Sequence, residues 1–473
     1  MKTTTPTSII ILGGGGDLAQ RKLLPSLCTL FIQGHLPQIF RITGLARTER
    51  SNQEYRALVE EALKKSDGNF SQEDIDSFCM HVTYVSGSLE DGVSYVTLKC
   101  TIEDFEREAD TRVNVLFYLA VPPTQYEATF INLHKSKLAV LEGGSKHWAR
   151  ILVEKPFGSD YNSAQKLDAT LSSLFPEEQI FRIDHYLAKE AVQNILSFRF
   201  ANTLLLPSWN NTAIKEVHID MHETIDVGTR GSFYDPVGAL RDVGQNHLLQ
   251  ILALIAMDEP KQLDATHIRK NRGEVLQKLT PITKETIEGS VIKAQYDTYK
   301  DIEGVAADSQ TETYFEFKAY IDTETWRGVP FLIRAGKALV KEKVSIEILF
   351  HDVASGPFES KTCATVGNSI LLTVSPCQSM HITLNVKQQG YGYQVEPHTM
   401  SYTWDSASIK NINAYEKVLL DCIEGDQTLF TRAEEVLASW KFITSIMEQW
   451  DVIALQTYKK GSAGPANTLT AIY

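Results

Sequence analysis

The sequence has no Cys-x-x-Cys pair, and its cysteines, Cys28, Cys79, Cys100, Cys363, Cys377 and Cys422, are scattered without metal-ligand spacing. That excludes a zinc ribbon or a disulfide framework and reads as reduced, mostly buried thiols in a cytosolic protein. Long hydrophobic runs are missing too. The longest, His247 to Met257, falls well short of a bilayer span and carries Gln250 inside it. Ile9 to Leu12 is too brief for the h-region of a secretory signal. Positive charge is in deficit: 46 Lys and Arg against 59 Asp and Glu leave a net charge of −13. Bulk electrostatics therefore argue against a nucleic acid or an anionic membrane as partner. Internal repeats and low-complexity linkers are lacking as well. What remains is an ordinary globular composition, expected in the cytoplasm, in a chain of 473 residues that exceeds one core, so two domains are expected.

In the first half, Ser8 to Leu12 is a β-branched run of the kind that forms a fully buried strand. Gly13-Gly-Gly-Gly16 follows at once, and Asp17-Leu-Ala-Gln-Arg-Lys-Leu-Leu-Pro25 reads as a helix. Strand, glycine turn and helix together let backbone N–H groups approach a pyrophosphate; a plain structural turn is the alternative. Phe40 to Ala46 is a second strand ending in Arg47-Thr-Glu-Arg50. An acidic side chain there would bind the ribose hydroxyls of NAD, whereas arginine suits the 2′-phosphate of NADP. A surface arginine fits the position equally well. Val113 to Ala120 is a further strand, and Arg150-Ile-Leu-Val-Glu-Lys-Pro-Phe-Gly158 holds another that ends on Glu154, Lys155 and Pro156. In an open parallel sheet, ligands bind at the carboxyl ends of strands, which aims Lys155 at a cleft. Alternating strands and helices predict a doubly wound Rossmann domain over 1–183.

The hinge of the chain is Arg182-Ile-Asp-His-Tyr-Leu-Ala-Lys-Glu190. Read as a helix that starts at Asp184, it places His185 and Lys189 on one face, a cationic pair suited to a phosphate; an ordinary solvated face is the competing reading. Residues 184–473 then change character. Lys215 to His222 alternates like a half-buried strand closed by Glu223, and Leu240 to Met257 reads as a buried helix. Yet Arg241, Asp242, Gln245, Asn246, His247 and Gln250 interrupt that helix. Unpaired buried polar groups cost roughly 1–3 kcal/mol each, so this many imply a network or a cleft wall. Later segments alternate at period two (Thr311 to Tyr320, Pro330 to Arg334, Ser345 to Phe350, Ser369 to Val374), predicting a large, mainly antiparallel sheet packed by helices in an α+β domain. Lys337 is expected on a loop, and the tail from Tyr458 to Tyr473 to be loosely held. His218 and His222 lie four apart on an alternating strand, a poor arrangement for a metal.

Gly-x-x-Gly-Asp-Leu-Ala, Glu-Lys-Pro-Phe-Gly, Arg-Ile-Asp-His-Tyr-Leu-x-Lys-Glu, Arg-Asp-x-x-Gln-Asn-His-Leu-Leu-Gln and Arg-x-Gly-Lys together resemble the glucose-6-phosphate dehydrogenase family. Asp308-Ser-Gln-Thr-Glu-Thr313 and Gly425-Asp-Gln-Thr-Leu-Phe430 fit it as well. The resemblance implies oxidation of β-D-glucose 6-phosphate at C1 to the 6-phospho-lactone, with NADP taking the hydride and NAD a weaker alternative. It also implies a homodimer or homotetramer built through the large sheet. Carried onto this sequence, it makes His247 the general base and Asp184 its partner. It puts His185, Tyr186, Lys189 and Lys337 on the phosphate, and Glu223 and Asp242 on sugar hydroxyls. Lys155 would stand between cofactor and substrate, and Gly13, Gly16, Asp17 and Arg47 would belong to the cofactor site.

The sequence departs from the family pattern in several places. Ala188 replaces a usual glycine; Gly14 and Gly15 replace a small residue and a hydroxyl; Gly244 stands where a larger apolar residue is common. A helix-interior glycine costs roughly 0.5–1 kcal/mol. Glu342, between Lys341 and Lys343, occupies the position of a second basic contact, and the tail lacks a tryptophan. Two rivals remain on these residues: a sugar or polyol dehydrogenase that shares Glu-Lys-Pro, and a non-catalytic nucleotide sensor on the same fold.

Overall fold

Every residue of strand β1 (Thr7–Leu12) is buried, and its side chains alternate between two cores. Ile9 and Ile11 enter one and Ile10 and Leu12 the other, so helices must cover both faces of the sheet. The structure, a computed structural model, describes residues 5–140, 147–352, 367–391, 395–404 and 413–469. Cys363 and the last residues of the tail lie outside them.

Strands β2 (Phe40–Ala46), β3 (Val82–Ser86), β4 (Asn114–Leu119), β5 (Ala149–Val153) and β6 (Ile180–Ile183) join β1 in a parallel sheet of order β3-β2-β1-β4-β5-β6. Leu12 pairs with Leu45 on one side and Leu119 on the other, so three strand ends line up where the order reverses. This is the crevice in which such sheets hold ligands.

The second half forms a nine-stranded sheet. Its strands are β7 (Ile214–His222), β8 (Val291–Tyr296), β9 (Tyr314–Ala319), β10 (Phe331–Gly336), β11 (Lys343–Phe350), β12 (Ser369–Ser375), β13 (Ser379–Lys387) and β14 (Val395–Thr403), with β16 (Leu455–Tyr458) at one edge. Among the described residues only the β7–β10 and β8–β16 pairs are parallel, so the expectation of a mainly antiparallel sheet holds. The tail is an exception to its expectation. Tyr458 is buried and its hydroxyl donates to the Lys337 carbonyl at 2.7 Å; beyond it, the Gly461 and Val340 N–H groups bind across to Ala338 and Ser462. Polar composition disguised a strand whose tyrosine is satisfied inside.

The two halves are interlocked. A short strand from the second half, β15 (Phe430–Thr431), lies antiparallel on β6, and the helix Ala433–Met447 follows it. Trp440 of that helix donates its indole N–H to the Phe157 carbonyl at 2.7 Å, and Arg150 binds the Cys422 and Ile423 carbonyls at 2.6 and 2.8 Å. These bonds fix the end of β5 against the second half.

The buried helix expected from Leu240 onward is present, but its first part, Leu240–Leu248, is wound as a π-helix before α-helix resumes at Leu249–Ala256. Glu312 steadies its start by accepting from the Leu240 N–H at 2.9 Å. Gly244 has a packing reason that the sequence does not display: a Cβ there would come within 2.9 Å of the Phe315 ring of β9. Overpacking costs about 1–3 kcal/mol and outweighs the roughly 0.5–1 kcal/mol that alanine gains over glycine in a helix. Gly244→Ala is therefore expected to lower the melting temperature, and Phe315→Leu in that background to recover part of the loss, both read by thermal denaturation.

Candidate active site

The site is assembled where β6 ends. Asp184 does not start a helix, contrary to the sequence expectation. Its carboxylate turns back to accept from the Tyr186 N–H at 2.9 Å, and the Leu187 and Lys189 N–H groups then close two successive turns. A side-chain acceptor that satisfies a nearby N–H competes with helical bonding, so the helix begins only at Glu190. The side chains fan out as a result. His185 leaves Lys189 and meets Glu154, with its Nε2 3.2 Å from both carboxylate oxygens and its ring 4.1 Å from that of Tyr415. Tyr186 stacks on His247 at 4.4 Å, and the Lys189 ammonium sits 4.0 Å over the Tyr186 ring. Burial depresses the Lys189 pKa, against the pull of Glu342 and Glu223.

His247 comes from the π-wound helix and is 4 % exposed, beside Asp184 at 3 %. Its Nδ1 lies 2.5 Å from Asp184 Oδ1. A carboxylate at that distance takes the Nδ1–H and leaves the Nε2 lone pair free to accept. Lys155 Nζ is 3.0 Å from Nε2 and also donates to the Asp242 carbonyl at 2.9 Å. Burial, helped by Lys155, pushes the His247 pKa down, and Asp184 only partly restores it. For Asp184 burial acts upward, but the attraction of His247 and the bonds from its ring and from Tyr186 win and hold the carboxyl low. Asp242 is likewise held low by Lys155 and Lys337 against its burial.

Register brings the last members together. Gly336 pairs with His222 across β10 and β7, so Glu223 and Lys337 leave neighbouring strand ends side by side and pair with each other. Lys337 Nζ also lies 3.9 Å from Asp242 Oδ2. Of the two lysines flanking Glu342, Lys343 turns to Asp220 at 2.9 Å, where Arg334 also binds, and Glu342 accepts from Ser375 at 2.6 Å.

The crevice of the first sheet holds the glycine turn. Gly13 has φ +92°, and a Cβ on Gly14 would lie 2.6 Å from the Gly44 Cα. The turn is therefore bare backbone at the start of a helix, a fit for a dinucleotide pyrophosphate. Asp17 is exposed and 3.6 Å from Arg21, and Arg47 is exposed just past β2. Arg50 reaches closer: its guanidinium would be 3.3 Å from a Cβ on Gly15, the position that lacks the usual hydroxyl.

Sequence reasoning passed over two of these residues. Glu154 was seen only as part of a motif, yet it is buried and accepts from the Tyr118 hydroxyl at 2.5 Å as well as meeting His185. A carboxylate at a strand end, one step before a lysine, was the available signal. Arg50 was visible only as the second arginine after β2.

Comparison with known proteins now bears on this geometry. The family model described as glucose-6-phosphate dehydrogenase, NAD binding domain, matches residues 10–194, and the one described as its C-terminal domain matches residues 196–472. The chain belongs to the glucose-6-phosphate dehydrogenase family. It is 37% identical to the glucose-6-phosphate 1-dehydrogenase of Chlamydia pneumoniae, over 98% of this chain and 94% of that one. The cytoplasmic glucose-6-phosphate 1-dehydrogenase 5 of Arabidopsis thaliana is 38% identical, over 98% and 90%. A solved glucose-6-phosphate dehydrogenase in complex with glucose-6-phosphate superposes with a TM-score of 0.88 at 33% identity, over 98% of this chain and 97% of that one. The fold alone extends further, to a super-repressor mutant of Gal80p from Saccharomyces cerevisiae, with a TM-score of 0.51 at 10% identity over 94% and 97%. Membership of the dehydrogenase family therefore rests on the near-complete sequence match and not on architecture. Among the described residues, no helix is long and apolar enough to cross a membrane.

Within a glucose-6-phosphate dehydrogenase framework, the depressed pKa of His247 has a direct consequence. Nε2 keeps its lone pair down to pH values below the ordinary imidazole value of 6.5. The acid limb of kcat/KM is expected below that point. Asp184→Asn removes the anion that supports the pKa and the acceptor that fixes the tautomer, so kcat should fall by about 10³–10⁴-fold and the limb should move further acid. Pre-steady-state and pH-rate measurements check both; a limb well above 6.5 in the wild type would contradict a buried neutral base.

Proposed function

We propose that this chain oxidises β-D-glucose 6-phosphate at C1 to 6-phospho-D-glucono-1,5-lactone with NADP as the hydride acceptor. The observation that carries the reading is the contact of Asp184 with His247 at 2.5 Å, inside a site that also gathers Lys155, Lys189 and Lys337. Removing hydride from C1 requires the C1 hydroxyl to lose its proton at the same time. His247 Nε2 is the acceptor, and Lys155 now occupies the place in front of it that a donor hydroxyl takes. Asp184 stabilises the imidazolium that forms. The C1 carbon–hydrogen bond breaks with its electron pair, the O–H proton goes to His247, and a C1 carbonyl remains.

The phosphate is far from the reacting carbon and supplies remote binding energy that orients C1. Lys189 stands at the N-cap of the helix Glu190–Phe200, where the helix dipole adds positive potential; it lies over Tyr186, and Lys337 pairs with Glu223, whose charge reaches Lys189 as well. His185, turned away from Lys189 by the bend, would contribute its Nδ1, which has no partner among the described residues, while Glu154 holds Nε2. Glu223 and Asp242 accept from the sugar hydroxyls.

Gly13, Gly16 and Asp17 would belong to the cofactor site, with backbone N–H groups of the glycine turn on the dinucleotide phosphates, Arg47 on the 2′-phosphate and Arg50 beside it. The nicotinamide, when bound, supplies the hydride-accepting carbon. NADP is favoured because β2 runs directly into Arg47 rather than into an acid, and Arg50 flanks the nearby Glu49 on its other side. A cytoplasmic location and a homo-oligomer belong to the same reading. The exposed side chains Leu384, Val386, Met400 and Tyr402 on β13 and β14 form an apolar sheet face suited to a second copy.

His247→Asn is expected to abolish turnover and leave sugar-phosphate affinity within about 3-fold. Lys189→Ala should raise the KM for glucose 6-phosphate by about 10–100-fold and that for the dinucleotide by less than about 2-fold. Arg47→Ala should weaken NADP selectively. Initial rates with glucose 6-phosphate, glucose and galactose 6-phosphate, each with NADP and NAD, decide the reading; equal activity on free glucose would reject the phosphate pocket.

A further inference from the structure

The helix that carries His247 also carries two glutamines with no part in the proton transfer. Gln245 and Gln250 are 6 % and 2 % exposed and line one cavity of about 20 Å³, which Asp184 and Ser439 also border. Asp184 spends its Oδ1 on His247 and Tyr186, and its Oδ2 has no partner among the described residues. Gln250 Oε1 and Ser439 Oγ are buried, again without a partner among the described residues. Three elements thus bring three unsatisfied oxygens to one small space: the end of β6, the helix Leu249–Ala256 and the helix Ala433–Met447. A cavity with about 10–15 Å³ for a water-sized sphere holds one water, given two to four polar partners. The two carbonyl-type oxygens need a donor, and the serine hydroxyl can donate or accept. A single water meets all three demands. A cation would face Lys155, which lines the same cavity.

We propose that this chamber holds an ordered water that donates to Asp184 Oδ2, and that Gln250 and Ser439 are positioning residues whose grip on it sets how firmly Asp184 holds the His247 proton. The inference rests on the reading of Asp184 and His247 as the proton-accepting pair. A donor on Oδ2 stabilises the carboxylate. Without it the carboxylate leans more heavily on the imidazolium, and His247 keeps its proton to higher pH. The other charged groups facing His247 are Lys155, past the end of β5, and Asp242, on its own helix; neither changes in the variants below.

The test is the pH profile of kcat/KM for Ser439→Ala, Ser439→Thr and Gln250→Met in the full-length protein, with thermal melts as a folding control. The acid limb of Ser439→Ala and of Gln250→Met should move up by about 0.5–1 unit, with the glucose 6-phosphate KM within about 2-fold of wild type. Ser439→Thr, which keeps the hydroxyl, should restore the limb. Should Ser439→Ala fail to fold, Gln250→Met carries the test. An unmoved limb in the folded variants, a threonine variant that behaves like alanine, or a crystal structure with the chamber dry would each overturn the proposal. Turnover surviving in His247→Asn would instead overturn the reading beneath it.

Discussion

The short bond between Asp184 and His247 is the constraint on which the rest of the structure depends. Asp184 follows the last parallel strand of the first sheet, His247 stands 63 residues later on the π-wound helix, and both are almost wholly buried. A buried carboxylate opposite an imidazole is tolerated only where geometry and further hydrogen bonds compensate its desolvation. The turn at Asp184 supplies one such bond through the Tyr186 N–H, and the π-wound helix presents His247 from the other side. Widened helical turns concentrate at functional sites, where they re-aim a side chain that regular winding would direct elsewhere.

A bond so placed demands that the halves do not slide. The interlock answers that demand. β15 completes the edge of the first sheet with residues from the second half, and Arg182 is buried at 2 % exposure while paired to Asp168 and Glu177. Arg269 reaches the same Glu177 from the other half at 2.8 Å, and the Arg272–Glu435 pair is buried behind it. Of these pairs Arg269–Glu177 spans the halves, and parting it would take the carboxylate from the buried Arg269, which penalises their separation. Rigidity between the two sheets is therefore a product of buried polar contacts as much as of apolar packing.

Electrostatics divide the labour within the site. Lys155, Lys189 and Lys337 belong to a chain whose net charge is −13, so the positive charge around His247 and Asp242 is local rather than a property of the whole protein. Lys155 has two effects at once, since it lowers the His247 pKa and holds Asp242 ionised. Glu154, one residue upstream on the same strand end, holds the His185 ring by its Nε2. A single dipeptide after β5 thus contacts both histidines.

The fold class and the crevice of the first sheet were legible in the residues, whereas the pairing of Asp184 with His247 was implied only by the family resemblance. Buried β-branched runs can form only strands covered on both faces, and a glycine turn between strand and helix has few other uses. The local shape of the Asp184 to Lys189 segment was not legible, because periodicity cannot register a carboxylate that bends back onto its own backbone. Nor was the reason for Gly244, since Phe315, which needs the room, lies seventy-odd positions away on β9. The sequence by itself determined which chemistry the chain could perform, through the kinds of side chain it spaced along strand ends and one polar-studded helix. Only the tertiary structure decided which of them meet: whether Lys343 serves the substrate or Asp220, which face of His185 is free, and what the buried glutamines surround. Those outcomes depend on distances between elements remote in the chain, and spacing along a sequence does not encode them.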